Sequence, residues 1–238
     1  RDYRQAVEDV YFALPGQPSG RAPIGVENGI PDGEASAAMQ EELEALAGMG
    51  IGLVLLLNAS CYGEEAISER LARESETTVR SLKEKYGLKS VTTASPFVAR
   101  ALKRAELGVK VHASVNMRVG TIRAMEFLAN DFDGYYLQRE YNRDLGRIRK
   151  LKAWCDANSK GLFLLANSGC MRNCPWQTFH DNLVAHERGV SGRKNVKSNS
   201  PSPCWEYLQD RLHWTTLLQN TWIRPEDIHH YEEWFHTV

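Results

Sequence analysis

The chain lacks long apolar runs, has no excess of either charge and holds little cysteine. Its longest apolar stretch, Ile51 to Leu57, falls far short of the roughly 20 residues that cross a bilayer, so membrane insertion is not expected. Twenty-nine Lys and Arg stand against 30 Asp and Glu, and a formal charge of −1 gives no overall bias toward nucleic acid or an anionic membrane. A local basic run from Arg188 to Lys197 reads first as a solvated loop. Five cysteines, an odd number with no signal-peptide pattern ahead of them, argue against a disulfide framework and for a reducing cytoplasm.

What is present is a globular composition, 42% hydrophobic over 238 residues, enough for one large core. Apolar runs of strand length alternate with amphipathic segments of helical length, the signature of repeated βα units on a parallel sheet. The spacing predicts seven strands, at Val10–Leu14, Gly52–Asn58, Ser90–Ser95, Val109–Val115, Gly134–Gln138, Gly161–Asn167 and Asn220–Arg224. It predicts helices near Ala35–Ala47, Glu65–Tyr86, Pro96–Ala105, Thr121–Ala129, Arg143–Ala157 and Pro225–Phe235. Gly87 and Gly108 follow basic amphipathic runs as helix stops do, and Pro225-Glu226-Asp227 puts a proline and two acids in a first turn.

The expected fold class is therefore α/β, a single TIM-like (β/α) barrel over residues 1–238 with one strand unaccounted for. An open doubly wound sheet is the alternative. Two segments break the rhythm: a Gly- and Pro-rich loop from Pro15 to Gly33, and a long cysteine-containing excursion at about 171–219 after the sixth strand, with a helix expected at Trp176–Glu187.

Strand tips carry the chemistry-bearing residues. They read Asn58-Ala59-Ser60-Cys61, His112-Ala113-Ser114-Val115-Asn116, Gln138-Arg139-Glu140, Asn167-Ser168-Gly169-Cys170 and Trp222-Ile223-Arg224. In a barrel such tips surround one mouth. His112, Ser114 and Asn116 alternate onto one face, which makes His112 and Asn116 candidates for catalysis or substrate positioning. Arg139, Arg143 and Arg224 are suited to anchor a carboxylate through guanidinium forks, although each could equally hold a salt bridge. His229, His230 and His236 read as helix-surface residues.

Cys61, Cys170, Cys174 and Cys204 fall at or beyond strand tips, whereas Cys155 lies inside a helix and reads as a small core hydrophobe. Three uses of the four thiols compete. An iron–sulfur cluster suits an all-thiolate set, with Cys61 or an external ligand completing Cys170, Cys174 and Cys204. Zinc would instead draw on Cys170, Cys174, His180 and His186. A thiol nucleophile would be Cys170 beside His112 or His180.

The runs Asn167-Ser168-Gly169-Cys170-Met171-Arg172-Asn173-Cys174-Pro175, Val111-His112-Ala113-Ser114-Val115-Asn116, and Tyr136-Leu137-Gln138-Arg139-Glu140 followed by Asn142-Arg143-Asp144 resemble the collagenase-like peptidase superfamily. Its better understood bacterial members act in oxygen-independent hydroxylation of ubiquinone and of transfer and ribosomal RNA. The resemblance spans roughly Val10 to Cys174. It implies a TIM-like barrel holding a [4Fe-4S] cluster through four cysteines, with prephenate as oxygen donor in the hydroxylating members. The chain departs from that family in lacking its opening strand and a clear last one, in the Cys174-to-Cys204 spacing and in the position of Cys61. No metal-protease or Ser/His/Asp signature accompanies the peptidase name.

The expectation is an oxidoreductase-type hydroxylase, or a subunit assisting one, acting on an anionic small molecule or RNA. A cysteine- or metal-dependent hydrolase and a non-enzymatic scaffold barrel are the alternatives.

Overall fold

In a computed structural model, the structure describes residues 4–15, 17, 19–20, 32–186 and 203–235. Most of the Pro15–Gly33 loop, the basic run Arg188–Lys197 and His236 lie outside these. Strands and helices alternate: β1 (Asp9–Phe12), α1 (Asp32–Gly48), β2 (Gly52–Leu57), α2 (Glu69–Tyr86), β3 (Ser90–Thr93), α3 (Pro96–Arg104), β4 (Lys110–Ala113), α4 (Ile122–Leu128), β5 (Gly134–Tyr136), α5 (Leu145–Ala157), β6 (Gly161–Phe163), α6 (Gln177–Ala185) and α7 (Pro203–Tyr207). The six strands form one sheet in the order β1 to β6, and the pairs β1–β2, β2–β3 and β5–β6 are parallel. Strand order that follows chain order is what an incomplete (β/α) barrel presents. A closed eight-stranded barrel would need further neighbours beside the outer strands; among the described residues the sheet holds six.

The chain divides into two compact units, Arg1–His112 with Val184–Gly189, and Ala113–Leu183 with Val190–Val238. In the first, β2 is the buried strand: Leu53, Val54, Leu55, Leu56 and Leu57 are all in the core. Such a continuous apolar run is what burial on both faces of a parallel sheet demands. Val79 of α2, Val98 and Leu102 of α3 and Val91 of β3 complete this core. In the second unit the core gathers Met125 of α4, Phe132, Tyr135 and Leu137 around β5, and Ile148, Leu151 and Cys155 of α5.

Helix ends form where side-chain chemistry dictates. Ser68, Ser95, Thr121 and Asp144 precede α2, α3, α4 and α5, and each side-chain oxygen accepts a hydrogen bond from a backbone N–H of the first turn. Gly87 ends α2 at φ +69°, a left-handed conformation that glycine adopts without strain, and donates to Lys83 O at 2.9 Å.

Two expectations are corrected. Asn220–Arg224 is not a seventh strand. It is an extended segment laid along the chain that leaves β6, with Thr221 N donating to Cys170 O and Ile223 N to Ala166 O, both at 2.9 Å. Both bonds are donated by the strip, which runs antiparallel to that tail and is not part of the sheet. The helix expected at Pro225–Phe235 is a 3₁₀ helix over Pro225–Tyr231, and a second 3₁₀ helix, Arg211–Gln219, occupies the end of the excursion. No helix among the described residues is long and apolar enough to cross a membrane.

Candidate functional site

The second unit concentrates polar chemistry beyond β5 and β6. After Tyr136 the chain leaves β5 and tightens into a 3₁₀ turn over Arg139–Tyr141. That turn presents Arg139, Glu140, Asn142 and Arg143 on consecutive short steps, and they line a pocket of about 150 Å³ together with Arg172, Asn220 and Thr221.

Arg139, Glu140, Asn142, Arg143 and Thr221 are tied down by hydrogen bonds. Arg139 donates from Nη2 to Asn116 Oδ1 at 2.8 Å. Gln177, at the start of α6, bridges its neighbours: with its amide oriented by them, it donates to Glu140 Oε1 at 3.0 Å and accepts from Arg139 Nη1. Asn142, 1% exposed, donates both amide protons, to Leu165 O at 3.0 Å and to Thr221 O at 2.9 Å, while its own carbonyl accepts from Tyr231 Oη at 2.6 Å. Three distant stretches of chain meet on that one asparagine. Thr221 Oγ1 in turn donates to Ser168 O at 2.8 Å.

Arg118, held at φ +54°, donates to Thr178 Oγ1 at 2.9 Å. Asp181 lies on the same helix as Thr178 and Gln177. Burial pushes its carboxyl above the ordinary value, Arg139, Arg118 and His180 pull against that, and Glu140 adds to it. The result is a belt of alternating charge and amide around Arg139.

The thiols divide between the units. Cys61, in the first unit, accepts from Gly63 N at 3.4 Å, and His112 closes the same unit on β4. Cys170, Cys174 and Cys204 belong to the second unit; all are free and partly exposed. Met171–Cys174 is a tight turn, with Cys174 N donating to Met171 O at 3.2 Å and Asn173 at φ +56°. Burial raises the Cys204 thiol above its ordinary value, and the nearby sulfurs of Cys174 and Cys170 raise it further. The donor chemistry of the three thiols, all sulfur with no disulfide, fits an iron–sulfur cluster in kind. Among the described residues no three His, Cys, Asp or Glu side chains are grouped so as to hold a metal ion.

Of the residues singled out in the sequence, Asn116, Arg139 and Arg143 come together in the second unit. Arg143 gives Nη1 to Leu218 O at 2.9 Å and Nη2 to Trp222 O at 2.6 Å, so its terminal nitrogens brace the C-terminal strip. Arg224 is exposed and forks onto Asp227 at 2.8 and 2.9 Å, and it does not line the pocket. Cys155 is fully buried, with its thiol 3.8 Å from Met125 Sδ. Sequence reasoning missed Gln177, Glu140, Asn142 and Arg172 as site members. Glu140 stands inside the strand-tip run Gln138-Arg139-Glu140 and Asn142 just beyond it, but a lone amide or acid there carries no spacing that marks it.

No family model matches the chain, and no curated protein matches it. Among solved structures it is similar to the U32 peptidase Mk0906, with a TM-score of 0.67 over 92% of this chain and 81% of that one, at 17% identity. A likeness at that identity establishes the fold, an α/β architecture of the same plan, and nothing about the reaction.

Proposed function

We propose that the protein carries out a redox step on a small anionic molecule, using a [4Fe-4S] cluster held by Cys170, Cys174 and Cys204. Oxygen-independent hydroxylation is the reaction that the sequence resemblance implies. The observation that supports this reading is the presence of three free, partly exposed thiols in one compact unit, two of them on the Cys170–Cys174 turn. The Cys170–Cys174 turn also lends Arg172 to the pocket, so ligand and thiols share one loop.

When bound, such a cluster exchanges single electrons at a potential set by its surroundings. The chain's own residues do the rest. Arg172 and Arg139 supply positive charge for an acid group, Asn116 and Gln177 hold the Arg139 fork in place, and Asn142 and Thr221 wall off the inner end. The pocket volume suits a small molecule better than RNA. The fourth iron is left to a ligand outside these three thiols, Cys61 belonging to the other unit.

Anaerobic purification is the test. The expected protein is brown and carries about four irons and four acid-labile sulfides per chain. Each of Cys170→Ser, Cys174→Ser and Cys204→Ser empties it, and Cys61→Ser decides the fourth ligand. A colourless protein with neither iron nor sulfide sinks the proposal. Peptide turnover that survives iron removal and is lost in Cys170→Ala would replace it with a hydrolase.

A further inference from the structure

Of the 14 large apolar side chains that stand exposed among the described residues, seven fall in one short stretch, Trp205 to Trp222. Half of that stretch is the 3₁₀ helix Arg211–Gln219, and the helix is inside out. A 3₁₀ helix has three residues per turn, so side chains at i and i+3 form straight rows. The row that is half-buried holds the polar His213 and Thr216. Both apolar rows are exposed: Leu212, Thr215 and Leu218, with the leucines at 83% and 76%, and Trp214 with Leu217.

The helix is fastened without those side chains. Asp210 Oδ1 caps it by accepting from Leu212 N at 2.9 Å, and Trp214 Nε1 donates to Leu208 O at 2.9 Å. The His213 ring lies flat on the Tyr207 ring, centroids 3.7 Å apart, with Nδ1 2.7 Å from Tyr207 O. Arg143 Nη1 holds the far end through Leu218 O. A surface set by polar bonds in this way loses little freedom when something packs on it. The Tyr207–His213 stack also brings α7 alongside, with its exposed Trp205 and Tyr207. These six side chains expose roughly 800 Å² in all, counting about 200–250 Å² for a whole large side chain. That exceeds the largest apolar patch of an ordinary monomer, roughly 300–600 Å², and matches the about 800 Å² that each partner gives to a stable complex.

Charge decides what fits there. From Pro203 to Trp222 the sequence has two acids, Glu206 and Asp210, one base, Arg211, whose guanidinium lies over the Trp214 ring, and no lysine. Nucleic acids and anionic lipid surfaces are held by several Lys or Arg, so neither is served. A face rich in tryptophan and free of lysine has the composition of a protein contact. Residues 187–202, which join α6 to α7 in sequence, include no aromatic residue, Leu or Ile to match it. The most exposed row reads Leu, Thr, Leu and is the same in either direction. A second copy of the helix, laid antiparallel about a twofold axis at Thr215, sets Leu212 against the partner's Leu218 and the reverse. The two copies of Arg211 then lie at opposite ends of the contact.

We infer that this face is an isologous dimer contact, in which two copies of the chain pair through their 3₁₀ helices with Thr215 on the axis. The inference is independent of the pocket's ligand and of the cluster.

Sedimentation of the full chain over about 1–100 µM tests it. A species of twice the chain's 26.9 kDa is expected at the upper end. Leu212→Asp, at a position too exposed to matter for folding, weakens the association at least about tenfold, because the contact would bury an unpaired carboxylate. Thr215 gives the readout that only a twofold axis produces, since a residue on the axis meets itself. Thr215→Lys and Thr215→Glu each oppose like charges and are monomeric alone, and an equal mixture of the two recovers the dimer by pairing Lys with Glu. That recovery also shows that both variants are folded. A parent chain that stays monomeric throughout overturns the inference, as does a dimer indifferent to Leu212→Asp, or a Thr215 pair that does not recover on mixing. For a monomer, flotation with phosphatidylcholine–phosphatidylglycerol vesicles would give the face to a lipid surface instead, and its absence would give it to a different protein.

Discussion

Asn142 shows how much one buried amide can organise. Its two donated bonds hold the chain leaving β6 and the strip at Thr221, whose carbonyl groups would otherwise face a closed interior without donors. Asn142→Ala leaves both unmet, and at roughly 1–3 kcal/mol for each such group the expected loss is about 3 kcal/mol, read as a lower urea midpoint. An unchanged midpoint would mean that water takes over both carbonyls. Cys155 illustrates the opposite case, a sulfur with a purely structural part. Burial, reinforced by the charge of Asp156, pushes its thiol up to about 12. The reactive thiolate is therefore scarce at pH 8, and the site is closed to reagent. In native metal-free protein, iodoacetamide at pH 8 modifies the partly exposed Cys61, Cys170, Cys174 and Cys204 and spares Cys155, which mass spectrometry of the digest reads directly. Labelling of Cys155 at the rate of the others would contradict its burial.

Among the elements, β5 and β6 depend on a pair of absent side chains. Gly134 and Gly161 face each other in the register, and the ring of Phe163 lies over them, stacked on Tyr136 with centroids 5.1 Å apart. A Cβ at Gly134 would come within 2.7 Å of Phe163 Cε2 and 3.1 Å of the Gly161 carbonyl, and the second of these is backbone that cannot swing away. Gly134→Ala is expected to cost about 1–3 kcal/mol by overpacking. Ser68→Ala, which removes only the cap of α2, is expected to cost about 1 kcal/mol. Thermal unfolding of the two variants side by side separates these effects.

The elements the sequence announced well are those with local causes. α2 ends at Gly87 because its last turn needs a left-handed residue, and β2 reads as a strand because five consecutive positions are buried. Asn220–Arg224 misled because its short apolar pattern is that of a strand, while its partner is the tail of β6, more than 50 residues earlier, and no local signal records such a pairing. β5 and β6 likewise end sooner than expected, at Tyr136 and Phe163, and β5 is followed by the 3₁₀ turn at Arg139–Tyr141.

At the scale of the whole chain, the alternation of strands and helices was legible from periodicity, and the site only in part. Arginines draw notice in a sequence as anion anchors, which singles out Arg139 and Arg143; whether a guanidinium faces a ligand or its own backbone depends on contacts spanning more than 70 residues, and Arg143 holds backbone. Gln177 could not be found, because a neutral amide in a long excursion has meaning only once Arg139 and Glu140 flank it. A chain ending after Leu208 removes the strip and Tyr231 together. It is expected to lose hydrogen-exchange protection at Leu165 and around Asn142 while β2 keeps its own, and uniform loss throughout would instead mean that the two units melt as one. The same arrangement sets a clock during synthesis. Asn142 waits 79 residues for Thr221, a delay of about 4–16 s at roughly 5–20 residues per second, and Tyr231 follows later still. Until then a nascent chain has made Arg139, Glu140 and Arg143 but has no inner wall to place them against. Ligand recognition in this pocket therefore waits for Thr221, and a ribosome that stalls before it releases a chain that cannot bind prematurely.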